Sequence, residues 1–350
     1  MEYIALKNIC KINMGQSPDS SSYNDNKDGI PFFQGNADFG EKYPVTRVWC
    51  NAPIKVAQPN DILISVRAPI GALNFAKEEC CIGRGLAALT PDRSKVSLEF
   101  IYWVLKWKKA ELNSKGTGST FKAISRKVLE ETLVPAIDFE KQYEYAEILG
   151  KTYSVIKKYK KELNCLDGLI KARFVEMFYD KGYPILKWND VFNTTTGKLD
   201  SNAAVEDGEY PFFTCSKEVL RIDKFAFDQE ALLLAGNNAA GKYDVKYYNG
   251  KFNAYQRTYV LGLKEDWSYQ LFRYQLEDKL VYLQQQSLGG LTKYLTMKIL
   301  GKLDFIIPPI EKQIAFEVFA NQVNKSKVAV QKALDETQKL FDSLMQEYFN

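Results

Sequence analysis

Histidine is absent from this chain of 350 residues, and its absence removes a large class of chemistry. Without an imidazole there is no Ser-His-Asp or Cys-His nucleophile system, no H-E-x-x-H zinc site and no histidine general base. The six cysteines include no C-x-x-C pair, so we expect them to be reduced and to serve as small apolar residues. The sequence therefore predicts no catalytic residues and no metal site.

The sequence also lacks an apolar run of membrane-spanning length and a signal-peptide pattern at its start, Met1-Glu2-Tyr3. We therefore expect a cytoplasmic protein without a membrane partner. The net charge of +4 is a mild basic excess, which permits a nucleic-acid partner without requiring one, because opposite charges are interspersed. The length is sufficient for two or three domains, and 46% hydrophobic residues predict sizeable cores.

A heptad pattern of apolar residues is present twice. Each copy follows a proline and opens with the same tripeptide, Glu140-Lys141-Gln142 or Glu311-Lys312-Gln313, at an offset of 171 residues (313 − 142). Such spacing predicts a helix of about 60 Å that buries one narrow stripe, and a helix of this kind has little to pack on except its twin. The predicted helix-pairing residues are Leu149, Ile156, Tyr159, Leu163, Leu166, Ile170, Met177, Val323, Val330, Leu334, Phe341 and Leu344.

The remaining sequence repeats in the same order around these helices. A polar loop leads to a proline-aromatic strand, Ile30-Pro31-Phe32-Phe33 in one copy and Tyr210-Pro211-Phe212-Phe213 in the other. Later strands are predicted across 82–89 and 254–261. An amphipathic helix and a glycine-containing loop then follow in both copies at the constant offset of 171 residues, so that Leu98 aligns with Tyr269 (269 − 98).

We therefore expect a tandem repeat of globular domain, long helix, globular domain and long helix, in which each domain contains both helices and strands. The predicted domains are a first globular domain at 1–137, a first spacer helix at 138–180, a second globular domain at 181–309 and a second spacer helix at 310–350. Where the copies agree they form the scaffold, and where they differ they form loops between strands. Two similar scaffolds with dissimilar loops suit the reading of two different short targets.

The candidate DNA-binding residues are polar side chains at strand ends and in the glycine loops. Glycine allows backbone N–H groups to approach a phosphate, while Gln and Asn can bond adenine bidentately and Arg can bond guanine. Plain turn residues and solvated cations at helix caps remain open as alternatives, as does the partner of Arg84 in the second copy, Gln256 or Arg257. The candidates are Gln34, Asn36, Arg67, Arg84, Lys115, Thr117, Ser119 and Lys122 in the first domain, and Ser216, Asn238, Lys242, Tyr255, Gln256, Arg257, Lys293 and Tyr294 in the second.

Several short motifs, in an order that occurs twice, resemble the DNA-specificity subunit of type I restriction–modification systems. They are the Gly-Ile-Pro-Phe-Phe-Gln-Gly-Asn segment at 29–36, Asn60-Asp61-Ile62-Leu63, the Gly-Thr-Gly-Ser-Thr loop at 116–120, and the proline followed by Glu-Lys-Gln before each long helix. No single motif is specific, but their repeated order covers essentially the whole chain. The chain is short for the family.

The resemblance implies an α/β (α+β) fold, a pseudo-twofold tandem repeat of two similar globular domains separated by two long antiparallel coiled-coil helices. It implies a non-catalytic subunit that recognises a bipartite sequence in double-stranded DNA. Each globular domain would be a target-recognition domain that reads one half-site, and the helices would set the gap. It also implies partners, namely two methyltransferase subunits and, through the complex, a restriction/translocase subunit. The chain would hold no cofactor, because S-adenosylmethionine and ATP would be used by those partners. Two alternatives remain open: a homodimeric coiled-coil scaffold without DNA specificity, and an unrecognised hydrolase.

Overall fold

A computed structural model of the protein describes residues 2–118, 122–239 and 241–350. The chain divides into two units, which we name unit 1 (Met1–Lys160 with Lys332–Asn350) and unit 2 (Lys161–Gln331). Their boundaries fall inside both long helices, so the end of the chain belongs with its beginning. The division into recognition domains and spacer helices made from the sequence remains a prediction.

Unit 1 contains a four-stranded antiparallel sheet in the order β2-β10-β7-β8, a five-stranded sheet in the order β3-β5-β4-β9-β6 and the pair β1-β11. In the five-stranded sheet β4 and β9 pair in parallel, through Phe32–Cys81 and Phe33–Ile82. The strands are β1 (Tyr3–Ala5), β2 (Cys10–Met14), β3 (Tyr23–Asn24), β4 (Ile30–Phe33), β5 (Trp49–Cys50), β6 (Val56–Ala57), β7 (Ile62–Ser65), β8 (Leu73–Phe75), β9 (Cys80–Ile82), β10 (Leu86–Pro91) and β11 (Leu133–Pro135).

The core between these strands is built from side chains that the sequence places on alternating or continuous apolar runs. Leu63, Ile82 and Leu86 are fully buried in one cluster with Phe33. The predicted strand across 82–89 is wrong, because β9 ends before Gly83-Arg84-Gly85 and β10 begins after it. Those three residues form a turn, which glycine makes possible and which the apolar flanks concealed.

The helices of unit 1 begin with an amphipathic pair. The helix α1 starts after Ser97, whose hydroxyl accepts a hydrogen bond from the backbone N–H of Phe100 at 3.2 Å and caps the first turn. Its buried face carries Ile101, Val104 and Leu105. The helices are α1 (Leu98–Trp107), α2 (Lys109–Ser114), α3 (Arg126–Glu130) and α4 (Phe139–Phe178), of which α4 continues into unit 2.

Unit 2 contains a six-stranded sheet in the order β13-β19-β16-β18-β14-β15, together with the pairs β12-β21 and β17-β20. The long hairpin of β16 and β18 pairs eight residues on each strand, from Phe227–Phe252 to Leu234–Val245. The strands are β12 (Ile185–Lys187), β13 (Phe192–Thr196), β14 (Tyr210–Phe213), β15 (Leu220–Ile222), β16 (Phe227–Ala235), β17 (Asn237–Asn238), β18 (Val245–Ala254), β19 (Thr258–Leu263), β20 (Lys293–Tyr294) and β21 (Asp304–Ile306).

The second predicted strand, across 254–261, is also wrong, since β18 ends at Ala254 and β19 begins at Thr258. The helices of unit 2 follow the order of unit 1, and α6 is capped by the hydroxyl of Ser268 as α1 is by Ser97. They are α5 (Trp188–Val191), α6 (Tyr269–Asp278), α7 (Leu280–Gln286), α8 (Met297–Leu300) and α9 (Ile310–Phe349), of which α9 ends in unit 1.

The long helices pair within unit 1. The rings of Tyr145, near the start of α4, and Tyr348, near the end of α9, stack with 3.8 Å between centroids. Phe341 of α9 lies 5.7 Å from Tyr153 of α4 and 5.7 Å from Trp103 of α1. The start of α4 thus packs on the end of α9, which is an antiparallel arrangement, and both helices also pack on α1.

Unit 2 shows the complementary pairing. Phe316, near the start of α9, lies 5.8 Å from Phe174 and 5.6 Å from Phe178, near the end of α4, measured between ring centroids. Tyr274 of α6 completes the cluster at 5.4 Å from Phe316. The prediction of two long paired helices is confirmed, at 40 residues each. The expectation that each has little to pack on except its twin is wrong, because α1 and α6 also pack on the paired helices.

The predicted helix-pairing residues all lie on the inward or partly covered faces of α4 and α9. Lys327, one of the polar positions in the pattern, forms an ion pair with Asp167 within unit 2. Arg173, a basic residue within the heptad pattern of α4, places its guanidinium 5.6 Å from the ring of Phe319. Leu149, Ile156, Ile170, Val323, Leu334 and Phe341 are buried, and Tyr159, Leu163, Leu166, Met177, Val330 and Leu344 are partly buried.

The repeated Glu-Lys-Gln tripeptide has a structural explanation. The side chain of Gln142 is 3% exposed, accepts a hydrogen bond from the backbone N–H of Ser97 at 2.8 Å and donates one to the carbonyl of Ile137 at 2.9 Å. Gln313 repeats both bonds in unit 2, at 3.0 Å and 2.8 Å. Each buried glutamine therefore fixes the start of a long helix to the cap of the amphipathic helix in its own unit.

Candidate nucleic-acid interface

Several separate segments of unit 1 meet at one edge, joined by backbone hydrogen bonds. Gly85 donates its N–H to the carbonyl of Gln34 at 3.1 Å, and its own carbonyl accepts from Val66 at 2.9 Å. The carbonyl of Val66 in turn accepts from the N–H of Ile124 at 2.9 Å. This ladder, which we name the unit 1 edge, brings the end of β4, the end of β7, the 83–85 turn and the glycine loop side by side.

The four base-reading candidates of the first domain line one cleft on this edge, of about 190 Å³. The side chains of Gln34, Arg67 and Arg84 are exposed, and Asn36 is half-buried. A side chain at position 85 would place its Cβ 2.4 Å from the carbonyl oxygen of Gln34, so glycine is required for this close approach. The cleft is lined by Gln34, Gly35, Asn36, Arg67, Ala68, Arg84 and Gly85.

The glycine loop is fixed to the same edge. Thr117 and Ala123 exchange two backbone hydrogen bonds, both of 2.9 Å, and Ala68 donates its N–H to the carbonyl of Lys122 at 3.0 Å. The side chains of Thr117 and Lys122 are exposed beside the cleft-forming strand end. The structure therefore places both candidates with the other predicted residues.

Two further candidates of this loop differ in standing. The ammonium group of Lys115 forms an ion pair with Glu111, with 2.6 Å between Nζ and Oε1, so a phosphate at this position would have to compete with a carboxylate. Ser119 lies outside the described residues.

Unit 2 has a corresponding ladder, which we name the unit 2 edge. Gly236 donates its N–H to the carbonyl of Arg257 at 2.8 Å and accepts from the N–H of Leu295 at 2.8 Å. The short strands β17 and β20 then pair Asn238 with Lys293. Arg257 is exposed, whereas Asn238 and Lys293 are half-buried.

Tyr255 and Gln256 lie on the same edge, where backbone hydrogen bonds to β14 and to Leu199 fix them. The N–H of Tyr255 donates to the last residue of β14 at 2.9 Å, and the N–H of Gln256 donates to the carbonyl of Leu199 at 2.9 Å. The side-chain amide of Gln256 also donates to the carboxylate of Asp200, with 3.3 Å from Nε2 to Oδ2. Asp200 was not predicted as part of the site, and its place in a polar loop gave no signal of this contact.

The remaining candidates of unit 2 flank the ladder. Lys242 is exposed, and its backbone N–H donates to Oδ1 of Asn238 at 3.3 Å. Ser216 is exposed, and its carbonyl accepts from Nζ of Lys246 at 2.7 Å. Lys246 is tied in turn to Asp244, with 2.6 Å between Nζ and Oδ2. This lysine positions the Ser216 loop, a role that sequence reasoning missed.

The ladders also settle which residues of the two copies correspond. In the tripeptide Gly83-Arg84-Gly85, the N–H of Gly83 donates to the carbonyl of the last residue of β4 at 2.8 Å. In the tripeptide Tyr255-Gln256-Arg257, the N–H of Tyr255 donates to the carbonyl of the last residue of β14 at 2.9 Å. The carbonyl of Gly85 accepts from the N–H of Val66 at 2.9 Å, and the carbonyl of Arg257 accepts from the N–H of Gly236 at 2.8 Å. Arg84 therefore corresponds to Gln256, so the same backbone position presents a cation in one unit and an amide in the other.

A half-buried tyrosine donates a hydrogen bond to the backbone of the unit 2 edge. Burial raises the pKa of Tyr259, so its hydroxyl keeps its proton and donates to the carbonyl of Leu295 at 3.1 Å. The described residues contain no group of three or more Cys, Asp or Glu side chains placed to hold a metal ion. In the same part of the chain, no helix combines the length and apolarity that crossing a bilayer requires.

These features define a class of protein: two α/β units of related topology, each with a polar edge built on the same backbone ladder, carried by a pair of long helices. The family model for the type I restriction modification DNA specificity domain matches residues 1–165 and 181–337. The chain belongs to this family, as the resemblance in its sequence predicted.

Individual relatives agree with this assignment. The chain is 44% identical over 152 residues to a putative type I restriction enzyme MjaX specificity subunit of Methanocaldococcus jannaschii, an alignment that covers 43% of this chain and 36% of that protein. It is 52% identical over 87 residues to the type I restriction enzyme EcoDI specificity subunit of Escherichia coli, covering 24% of this chain and 19% of that protein. The chain thus spans about a third or less of the length of these relatives.

A solved structure has a similar fold over the full length. The crystal structure of a type I restriction–modification system S subunit from M. genitalium superposes with a TM-score of 0.67, at 15% identity, and covers 100% of this chain and 96% of that one. At this identity the likeness concerns the fold alone. It agrees with the predicted mixture of helix and strand in two repeats with long helices.

Proposed function

We propose that this chain reads a bipartite sequence in double-stranded DNA as the specificity subunit of a type I restriction–modification complex. The observation that supports it is the pair of edges, in which one backbone ladder carries different side chains. At the central position an arginine, Arg84, is replaced by an amide, Gln256. A duplicated frame with exchanged reading groups suits two half-sites of different sequence.

The division of labour between side chains follows from general chemistry. Exposed cations beside the ladders, Lys122 and Lys242 among them, would neutralise phosphates and supply most of the affinity. Arg84 would donate two hydrogen bonds to a guanine, and Gln256 would both donate to and accept from an adenine. The bond from Gln256 to Asp200 orients its amide before DNA arrives.

The partners belong to the same proposal. Two methyltransferase subunits would bind the chain and methylate adenines in the recognised sequence, and a restriction/translocase subunit would join through the complex. S-adenosylmethionine and ATP would be used by those subunits, and this chain would contribute no catalytic group. The family assignment supports this arrangement, and the absence of histidine is consistent with a binding role.

Sequence selection with the purified full chain tests the DNA-reading part. Duplexes selected from a random library should share two short half-sites at a fixed separation. Arg84→Ala should relax one base position in one half-site, and Gln256→Ala should relax one position in the other, each by about 10- to 100-fold. Arg93→Ala is a matched control, because Arg93 is exposed just beyond β10, at the far end of that strand from the edge.

The alternatives predict different results. A coiled-coil scaffold would select no common sequence and would be indifferent to Arg84→Ala and Arg257→Ala. A hydrolase would show turnover by the isolated chain. Methylated adenines mapped in cells with and without the chain test the partner proposal, and a chimera that exchanges residues 1–137 for those of a relative should change one half of the methylated sequence only.

A further inference from the structure

Leu291 is the most exposed large hydrophobic residue of the part of the chain that the structure describes. Its side chain is 95% exposed, and the next in rank, Val328, is 71% exposed on a long helix. Leucine is ordinarily a buried residue, and a side chain with this exposure contributes no core contact. Its presence at a polar edge therefore has no explanation in the stability of unit 2.

The loop that carries Leu291 is short and closed. Leu288 and Tyr294 exchange two backbone hydrogen bonds, at 3.1 Å and 2.9 Å, and so form a hairpin-like base. Gly289 adopts a φ of +103°, and a side chain there would place its Cβ 2.2 Å from the carbonyl of Thr292. The loop is therefore closed at its base, and Leu291 stands in solvent at its tip.

This loop is part of the unit 2 edge. Its last residues form β20, which pairs with β17, and the next residue, Leu295, joins the ladder through Gly236 at 2.8 Å. Lys293 lies two positions after the leucine, and the exposed side chain of Lys242 lies on the neighbouring turn. The apolar tip therefore belongs to a segment that also carries cations, which would contact phosphates near it.

Apolar side chains presented in this way enter the base stack of bound DNA, where they separate two neighbouring base pairs and kink the duplex. We infer that Leu291 is such a wedge, inserted at one base step of the half-site read by unit 2, an inference that rests on the proposed function. The equivalent position of the first copy is Thr120 (291 − 171), a polar residue. This position therefore offers no wedge to the half-site read by unit 1.

The test uses the full chain without other subunits and a duplex carrying its selected sequence, in which 2-aminopurine replaces one base at a time. The fluorescence of 2-aminopurine rises when it is unstacked. Wild-type protein should raise it at one step of the second half-site and at none in the first. Leu291→Ala should abolish the rise while changing affinity by less than about tenfold, and Leu291→Met should restore it.

Ile185→Ala is the matched control, because Ile185 is 63% exposed in the same unit but lies in the two-stranded β12-β21 sheet. It should leave the fluorescence rise intact. A rise that persists in Leu291→Ala overturns the wedge. Sequence-specific binding by the wild-type protein without any rise in 2-aminopurine fluorescence also overturns the wedge. This includes the case in which the only effect of Leu291→Ala is to lose a preference for thymine. If wild-type protein selects no sequence, the proposed function falls, and the wedge falls with it.

Discussion

Replacing Gln313 with leucine tests whether the duplicated glutamine holds each long helix to its own unit. The side chain is 1% exposed, and its two hydrogen bonds go to the backbone N–H of Ser268 and the carbonyl of Pro308. Leucine has a similar volume but leaves both backbone groups buried without these partners. An unsatisfied buried polar group costs about 1–3 kcal/mol, and two are left, so Gln313→Leu should lower the free energy of unfolding of unit 2 by about 2–6 kcal/mol.

The two units make the measurement selective. Hydrogen exchange followed by mass spectrometry should show faster exchange in peptides of unit 2 for Gln313→Leu, and in peptides of unit 1 for Gln142→Leu. Because exchange through unfolding rises about tenfold per 1.4 kcal/mol, the rate should increase by about 30- to 20,000-fold in the most protected peptides. Gln322→Leu, an exposed change on α9, is the matched control.

The reasoning is refuted if Gln313→Leu exchanges at the rate of Gln322→Leu. It is also refuted if Gln313→Leu and Gln142→Leu affect the same peptides, since each glutamine bonds only within its own unit. A loss limited to the first peptides of α9 would mean that the bonds contribute to local fraying and not to the attachment of the helix.

Two other perturbations act on DNA reading. Deleting one heptad from each long helix shortens each by about 10 Å, which corresponds to about three base pairs of DNA. The selected half-sites should therefore keep their sequences while their separation changes. An unchanged separation would contradict a spacer role for the helices. Lys293→Gln should weaken binding to all sequences alike and reduce the slope of log Kd against log salt by about one, and a change in the selected sequence would instead make Lys293 a base-reading residue.

The periodic parts of the fold were predictable from the sequence alone. Heptad spacing gave the long helices, whose observed bounds are Phe139–Phe178 and Ile310–Phe349, and the repeat gave two similar units. The turns at 83–85 and 255–257 were missed, because apolar residues on both sides continue the strand pattern across them. Periodicity also gives no information on which half of a helix packs on which unit, since that depends on aromatic contacts between residues far apart in sequence.

The candidate site was predictable as a set of residue types but not as a geometry. Strand ends and glycine loops identified Gln34, Arg67 and Arg84, which the structure places around one cleft. The correspondence of Arg84 with Gln256 required the backbone ladder, because the sequences slip by a residue or two in this region. Whether these side chains touch bases stays a prediction.

The return of the chain to its first unit has a consequence for biosynthesis. The ribosome makes all of Lys161–Gln331 before it makes Lys332–Asn350, which completes unit 1. Phe100 in α1 cannot make its contact with Phe349 until the end of the chain has been synthesised; in the folded protein their ring centroids lie 5.8 Å apart. Unit 1, whose translation begins first, is therefore the last to be completed. A premature stop after residue 331 would leave all of unit 2 present but would expose an apolar surface on unit 1.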